Sequence, residues 1–447
     1  MSAHRPPGWI SVPLGALGQW GSGGTPSKAR SEFYAAGTIP WLVIGDLNDG
    51  VVVAASTNIT KAGLVGSSAK LVQAGTIFVA MYGSIGKMGV AGIPCATNQA
   101  IAHFVPDFRL INPRYAFLAI RAVRPDLLKL GQGGAQQNIG QGILKNFEIP
   151  LAPLTEQARI ADKLDKLLAR IDACRGSLKT VKSLTQRLRQ SMLLAFKSGR
   201  LGTTGSETWR EVALGDVAEV GTGSTPLKSN QRFYTAEGTP WVTSAATGAP
   251  FVTGASEFVT AEAIAASRLK LYAPGTLLVA MYGEGKTRGQ VTELAIEATI
   301  NQACAAVVVD VNQARRDFVK LVLQAQYIEL REMAEGGNQP NLNLSKVRSM
   351  RFSLPALAVQ DEILRIAARL LSVTSTVEAR VAQVSATLDS LTRAVLAKAF
   401  RGELVPQDPA DEPAERMLER LRTTEAPKAA ARRRRSAGRG IDQTASA

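Results

Sequence analysis

Metal and thiol chemistry have little to work with in this chain. Its 447 residues include three cysteines, Cys95, Cys174 and Cys304, and two histidines, His4 and His103, with no metal-ligand spacing among them. A zinc site or a disulfide framework is not expected. No uninterrupted run of ~18 apolar residues occurs, so no transmembrane helix is indicated. The opening MSAHRPPGWI lacks the apolar stretch of a secretory signal, and the expectation is a cytoplasmic protein with no membrane contact. Acidic charge is scarce as well. Against 37 Asp and Glu stand 52 Lys and Arg, for a net charge of +15 and a pI of about 9.9. A non-secreted chain with that excess points to a polyanion, nucleic acid first. The run 432–435 (RRRR) belongs to a basic tail that reads as disordered, yet the body stays basic without it. With 45% hydrophobic residues and a mean hydropathy of +0.02, the chain can build real cores, enough for two to four domains.

What is present is organised around the stretch 154–201. Its apolar residues Ile160, Leu164, Leu167, Ile171, Cys174, Leu178, Val181, Leu188, Met192 and Ala195 mostly step by fours and threes, the seam of a long helix lying along another. A second seam runs through Ile363, Ile366, Leu370, Val373, Val377, Val384, Leu388, Leu391 and Val395. Rods of about 40 residues would be roughly 60 Å long. Neither can bury its stripe alone. The two pair with each other, or they belong to separate bundles or to a homodimeric coiled coil. Gly176 invites a local kink in the first rod.

The chain is one unit written twice. Trp9, Thr25-Pro26, Phe33-Tyr34, Pro40-Trp41 and Met81-Tyr82-Gly83 return 200 residues later as Trp209, Thr225-Pro226, Phe233-Tyr234, Pro240-Trp241 and Met281-Tyr282-Gly283. The offset then becomes 203, with Asn98-Gln99-Ala100 returning as Asn301-Gln302-Ala303 and Gln157 as Gln360. Each unit opens with a mixed α/β head of about 150 residues, in which IPWLVI (39–44) and TIFVA (76–80) read as short buried strands. Asn112-Pro113 caps and opens a helix through about Ala122. Prolines then mark the edge of the head before the rod begins. After Leu404 the chain is expected to be loose, apart from a short helix at 414–421. Antiparallel rods would set two unlike heads a fixed distance apart about an approximate two-fold axis. Dimeric DNA readers use such symmetry to address two half-sites.

Several loops carry candidate contacts. Glycines at 83–89 (GSIGKMG) and 283–289 (GEGKTRG) would let backbone approach a phosphate, with Ser84, Lys87, Lys286 and Arg288 beside it, or form tight surface turns with no ligand. The second loop fails as a P-loop because Ala280 stands where a glycine is needed. Lys28 and Lys228, in the repeated 21–28 and 221–228 turns, suit phosphate contact. Gln136, Gln137 and Asn138, and in the second unit Asn338, Gln339 and Asn341, follow glycine turns. These carboxamides can pair with adenine in the major groove, or satisfy their own loop backbone; both readings stand. Asn98-Gln99 and Asn301-Gln302 read first as residues that open or pin a strand, with base contact as the lesser alternative. Lysines and arginines on the rods, among them Lys163 and Arg170, belong to a solvated face paired with Asp162 and Asp165, to a docking surface, or to a track along the DNA backbone.

The GGTP and GSTP turns, MYGSIGK and MYGEGK, TNQA and INQA, GGAQQNIG and GGNQPNLN, and the AFKSGRL and AFRGEL helix exits together resemble the specificity subunit of type I restriction–modification systems, over roughly residues 8 to 405. The resemblance implies α/β target recognition domains at 1–153 and 204–356. Long antiparallel coiled-coil helices at 154–203 and 357–405 would separate them, followed by a basic, disordered tail at 406–447. It implies double-stranded DNA with a bipartite target, two methylation subunits and restriction/translocase subunits as partners. It also implies no catalytic centre and no cofactor in this chain, with S-adenosylmethionine, ATP and Mg held by the partners. Two other functions compete. A self-sufficient adenine methyltransferase would need an Asn-Pro-Pro-Tyr signature, and Asn112-Pro113-Arg114-Tyr115 lacks the second proline. A coiled-coil adaptor for protein partners would show no sequence-selective DNA binding.

Overall fold

The run TIFVA folds as it reads. In a computed structural model that describes residues 6–130, 138–197, 209–282, 287–334, 342–421 and 423, Ile77–Ala80 is the central strand of a five-stranded sheet and is buried along its whole length. Successive side chains leave a strand on opposite faces. Ile77 and Val79 accordingly enter one core, with Leu14, Phe104, Tyr115 and Leu164, while Phe78 and Ala80 enter another, with Leu42, Val52 and Ile101. The sheet runs Gly18–Ser22, Ile101–Pro106, Ile77–Ala80, Met88–Ala91, Val51–Val52, antiparallel except for its last pair. A smaller sheet places Ile39–Leu42 between Thr57–Ile59, antiparallel, and Ala96–Thr97, parallel. A third pair, Ile10–Pro13 with Glu148–Leu151, brings the ends of the head together where the long helix starts.

The second head repeats this plan. Ala218–Thr222, Cys304–Val309, Leu277–Ala280, Val291–Leu294 and Phe251–Val252 form its larger sheet, and Thr239–Val242 lies between Glu257–Val259 and Thr299–Ile300 in the smaller one. The smaller sheet gains an edge strand, Tyr234–Thr235. The fold is therefore two tandem α/β domains, each followed by a long helix.

Asn112 caps its helix as expected, its Oδ1 accepting from the Arg114 and Tyr115 amides at 2.9 and 3.3 Å. The helix does not stop near Ala122 but continues to Lys129 through Pro125. Proline forfeits one backbone hydrogen bond. Burial of Leu127 to 1% exposure holds the extra turn against the core.

The long helices, Leu154–Lys197 and Leu357–Phe400, have 44 residues each, and the first passes Gly176 without interruption. Each begins with a buried glutamine. Gln157 accepts from the Asn112 amide at 2.8 Å and donates to the Ala152 carbonyl at 2.8 Å. Gln360 does the same with the Arg315 amide at 2.7 Å and the Pro355 carbonyl at 2.8 Å. Outside this joint, Arg114 reaches Asp162 and Asp165, and Arg315 reaches Asp361. The two aspartates expected to pair along the rod are thus engaged by the head.

The chain divides into two compact units, 1–176 with 385–447, and 177–384. In the first, Ile160, Leu164, Leu168 and Ile171 share a core with Leu396 and Ala399. Arg175 meets Asp389 at 2.8 Å, while Arg159, earlier in its helix, meets Asp411 beyond the end of the other, so the two segments run in opposite directions. In the second unit Met192, Leu193 and Phe196 share a core with Ile363 and Ala367. The stripe read from the sequence is corrected in detail. Leu168 is buried in preference to Leu167, Cys174 is exposed, and Val181, Leu188, Val373 and Leu391 are 37%, 51%, 59% and 45% exposed. A strict three-four repeat drifts around a straight helix by ~20° per heptad. Contact passes to neighbouring positions, and Thr185, Thr374 and Thr392 are buried there.

The segment after Leu404 is not loose through 421. Residues 414–421 are helical, Ala414 and Met417 are buried in the first core beside Trp9, and the Ala414 amide donates to the Gly8 carbonyl at 3.0 Å. Asp411 accepts from Arg159 at 2.6 Å and from the Thr155 hydroxyl. The basic run 432–435 lies outside the described residues.

Candidate nucleic-acid interface

In each head a tryptophan on the small sheet holds a proline turn. Trp41 Nε1 donates to the Gly24 carbonyl at 2.9 Å. Tyr34 stands edge-on to Trp41 at 6.2 Å and donates to the Pro26 carbonyl at 2.6 Å; burial pushes its phenol pKa up. The Thr25 hydroxyl donates to Gln99 Oε1, and Asn98 Oδ1 accepts from the Ala100 amide at 3.2 Å. Gly23 packs so closely that a Cβ there would lie 1.9 Å from the Thr97 carbonyl oxygen, so no other residue fits the turn. Asn98 and Gln99 are pins, as read. Lys28 is exposed at the rim of an open cleft of about 870 Å³ lined by this constellation.

The second head rebuilds the same frame. Trp241 donates to the Ser224 carbonyl at 3.1 Å, Tyr234 donates to the Pro226 carbonyl at 2.8 Å, and Thr225 donates to Gln302. Lys228 is exposed and differs in one respect. Its Nζ lies 3.9 Å from Glu257 and 5.9 Å above the Trp241 ring.

Backbone hydrogen bonds join this frame to the glycine loop. The Met81 amide donates to the Ala100 carbonyl at 2.8 Å, and the Met81 carbonyl accepts from Ile139, one residue past the exposed Asn138, at 3.0 Å. Met281 repeats the first contact with Ala303 at 2.7 Å. Hydrogen bonds thus link the Lys28 turn, the Asn98–Ala100 turn, the start of the 83–89 loop and the residue after Asn138 within the first head. Within the loop Ser84 is exposed, and Gly83 and Gly86 have φ of 64° and 74°. Lys87 is less available than its sequence suggested, since its Nζ donates to the Ile44 and Gly45 carbonyls at 3.2 and 3.3 Å. Arg124 braces the same loop through a two-pronged pair with Asp49, at 2.7 and 2.9 Å. Burial works against the Asp49 carboxylate, but Arg124 and the Met88 amide outweigh it and hold its pKa below the usual range. In the second head Arg288 is half-buried. Lys286, Gln136, Gln137, Asn338, Gln339 and Asn341 lie outside the described residues.

The Thr25–Gln99 and Tyr34–Trp41 contacts were missed as parts of a site. Their signal was present, because each of these residues recurs in the second unit, but recurrence alone did not show that they converge. Among the described residues no group of three or more His, Cys, Asp or Glu could hold a metal. Burial pushes the Cys95 and Cys304 thiols up to about 11 and about 12, which leaves them protonated and poorly nucleophilic. No helix among the described residues is long and apolar enough to cross a membrane.

A family described as the type I restriction modification DNA specificity domain matches residues 6–183 and again 206–384. The chain belongs to that family. Its type I relatives include the StySPI specificity subunit of Salmonella potsdam, 24% identical over 427 residues, 91% of this chain and 92% of that protein. The EcoKI specificity subunit of Escherichia coli K12 is 24% identical over 448 residues, 92% and 93% of the two chains. The EcoR124I/EcoR124II specificity subunit of Escherichia coli is 32% identical over 159 residues, 34% of this chain and 39% of that one. Two solved structures share the fold. One comes from work on complex assembly and conformational transition of the type I R-M system (TM-score 0.70, 22% identity, 90% of this chain and 99% of that one). The other is the HsdS subunit from Thermoanaerobacter tengcongensis (TM-score 0.50, 20% identity, 90% and 99%). Type I specificity subunits recognise DNA and carry no catalytic centre, and this chain is one of them.

Proposed function

We propose that the heads, residues 1–153 and 204–356, each read one half of a bipartite, asymmetric DNA target. The helices, 154–203 and 357–405, set the spacing between the halves and dock two methylation subunits in the cytoplasm. Restriction/translocase subunits complete the assembly, and S-adenosylmethionine, ATP and Mg are bound by those partners. The observation that carries this reading is the duplicated hydrogen-bonded frame, Thr25-Tyr34-Trp41-Gln99 and Thr225-Tyr234-Trp241-Gln302, at equivalent places in two heads of the same plan and different sequence. Lysines beside each frame would neutralise phosphates, so affinity would fall steeply with salt. Loop side chains would supply base discrimination.

The test is methylome sequencing of a host expressing this chain with its methylation subunit. The expected result is one motif of two unlike half-sites across a fixed gap. A single contiguous motif, or no methylated motif from a soluble complex, would contradict the reading.

A further inference from the structure

Because the chain contains its recognition head twice, the two copies can be compared position by position. Around the cleft, Thr25, Lys28, Tyr34, Trp41, Asn98 and Gln99 are identical in the second head. Four lining positions are not: Ser31 becomes Gln231, Ala35 becomes Thr235, Val43 becomes Thr243 and Thr57 becomes Glu257. The last substitution is at one structural place, since Thr57 is the strand partner of Trp41 and Glu257 the strand partner of Trp241. A constant frame with a few altered rim positions is the pattern expected where one scaffold must address two different sequences.

Resting on the proposed half-site reading, we infer that bases are selected at this cleft in the first head and at the equivalent positions in the second, and that Glu257 is a specificity-determining residue of the second head. A carboxylate only accepts hydrogen bonds. It therefore favours a base presenting an exocyclic amino group in the major groove, cytosine first, and disfavours guanine and thymine, whose edges there offer acceptors. The Glu257 side chain is 40% exposed and that of Lys228, 3.9 Å away, is 67% exposed, so both are open to solvent. On DNA the Lys228 ammonium can turn to a phosphate and release the carboxylate to the base. In the first head the hydroxyl of Thr57 both donates and accepts, which distinguishes bases less sharply. No carboxylate among the described residues pairs with Lys28.

The experiment compares the complete complex carrying the wild-type chain, Glu257→Gln, Glu257→Thr or Thr57→Glu, by methylome sequencing and by binding selection with one half-site randomised at a time. Glu257→Gln keeps the shape while adding a donor. Both Glu257 variants are expected to relax or change one position of the second half-site by roughly tenfold or more, leaving the first half-site untouched. Thr57→Glu is expected to impose an amino-bearing base at one position of the first half-site only. An unchanged motif, a change in the opposite half, or a uniform loss across all sequences would overturn the inference. Failure of the wild-type chain to direct any bipartite motif would instead sink the reading beneath it.

Discussion

Gln157 shows what one buried side chain can hold. It is fully buried and ties the start of the long helix to the backbone of Asn112 and Ala152 in the head. Gln157→Ala would leave the part-buried Asn112 amide and the buried Ala152 carbonyl without this partner, at about 1–3 kcal/mol for the buried group. Denaturant unfolding should show the first unit weakened, and Gln157→Met, of similar length and shape but without the amide, should not restore it. Asp49 makes a prediction about pH. Its folded pKa lies below the ordinary carboxylate value, so its contribution is present above about pH 4 and is lost as pH falls through the folded value. Asp49→Asn is therefore expected to be less stable at neutral pH and to lose less stability on acidification, read from unfolding midpoints across pH 2–7. Both residues are visible as letters in the sequence, and Gln157 even as a repeated one. Their partners, 45 and 75 residues away, are not.

At the scale of elements, the helices and central strands were legible because their signals are local. A buried strand is a short apolar run, and a packed helix is a periodic one. The detail of the helix seam was not legible, because the choice between Leu167 and Leu168 depends on what stands opposite. The end of the chain is a stronger case. PQDPADEP reads as a linker, and 402–421 nevertheless packs on the first core, with Met417 at 1% exposure. Met417→Ala is expected to cost about 2–5 kcal/mol, measured as a lower unfolding midpoint. Truncation after Arg401 should cost more, because it also exposes Trp9 and unpairs Arg159. Equal stability of the full and truncated chains would show that the segment is only resting there.

For the molecule as a whole, the repeat implies modular behaviour. Exchanging residues 8–153 for the same region of a relative is expected to change one half of the methylated motif and leave the other intact. Adding or removing a heptad in one long helix is expected to change the gap between halves or abolish binding. Motif sequencing decides both, and a change in both halves after the exchange would remove the division of labour. Tandem organisation, mixed α/β heads, long helices and basic charge could all be read from letter order, because each is a property of composition or of residues close in sequence. The hydrogen-bonded frame in each head, the bracing of the 83–89 loop and the seat of the C-terminal segment could not. Those arrangements join residues tens to hundreds of positions apart, and such pairings are chosen only when the folded core decides which distant groups are buried together and must satisfy one another.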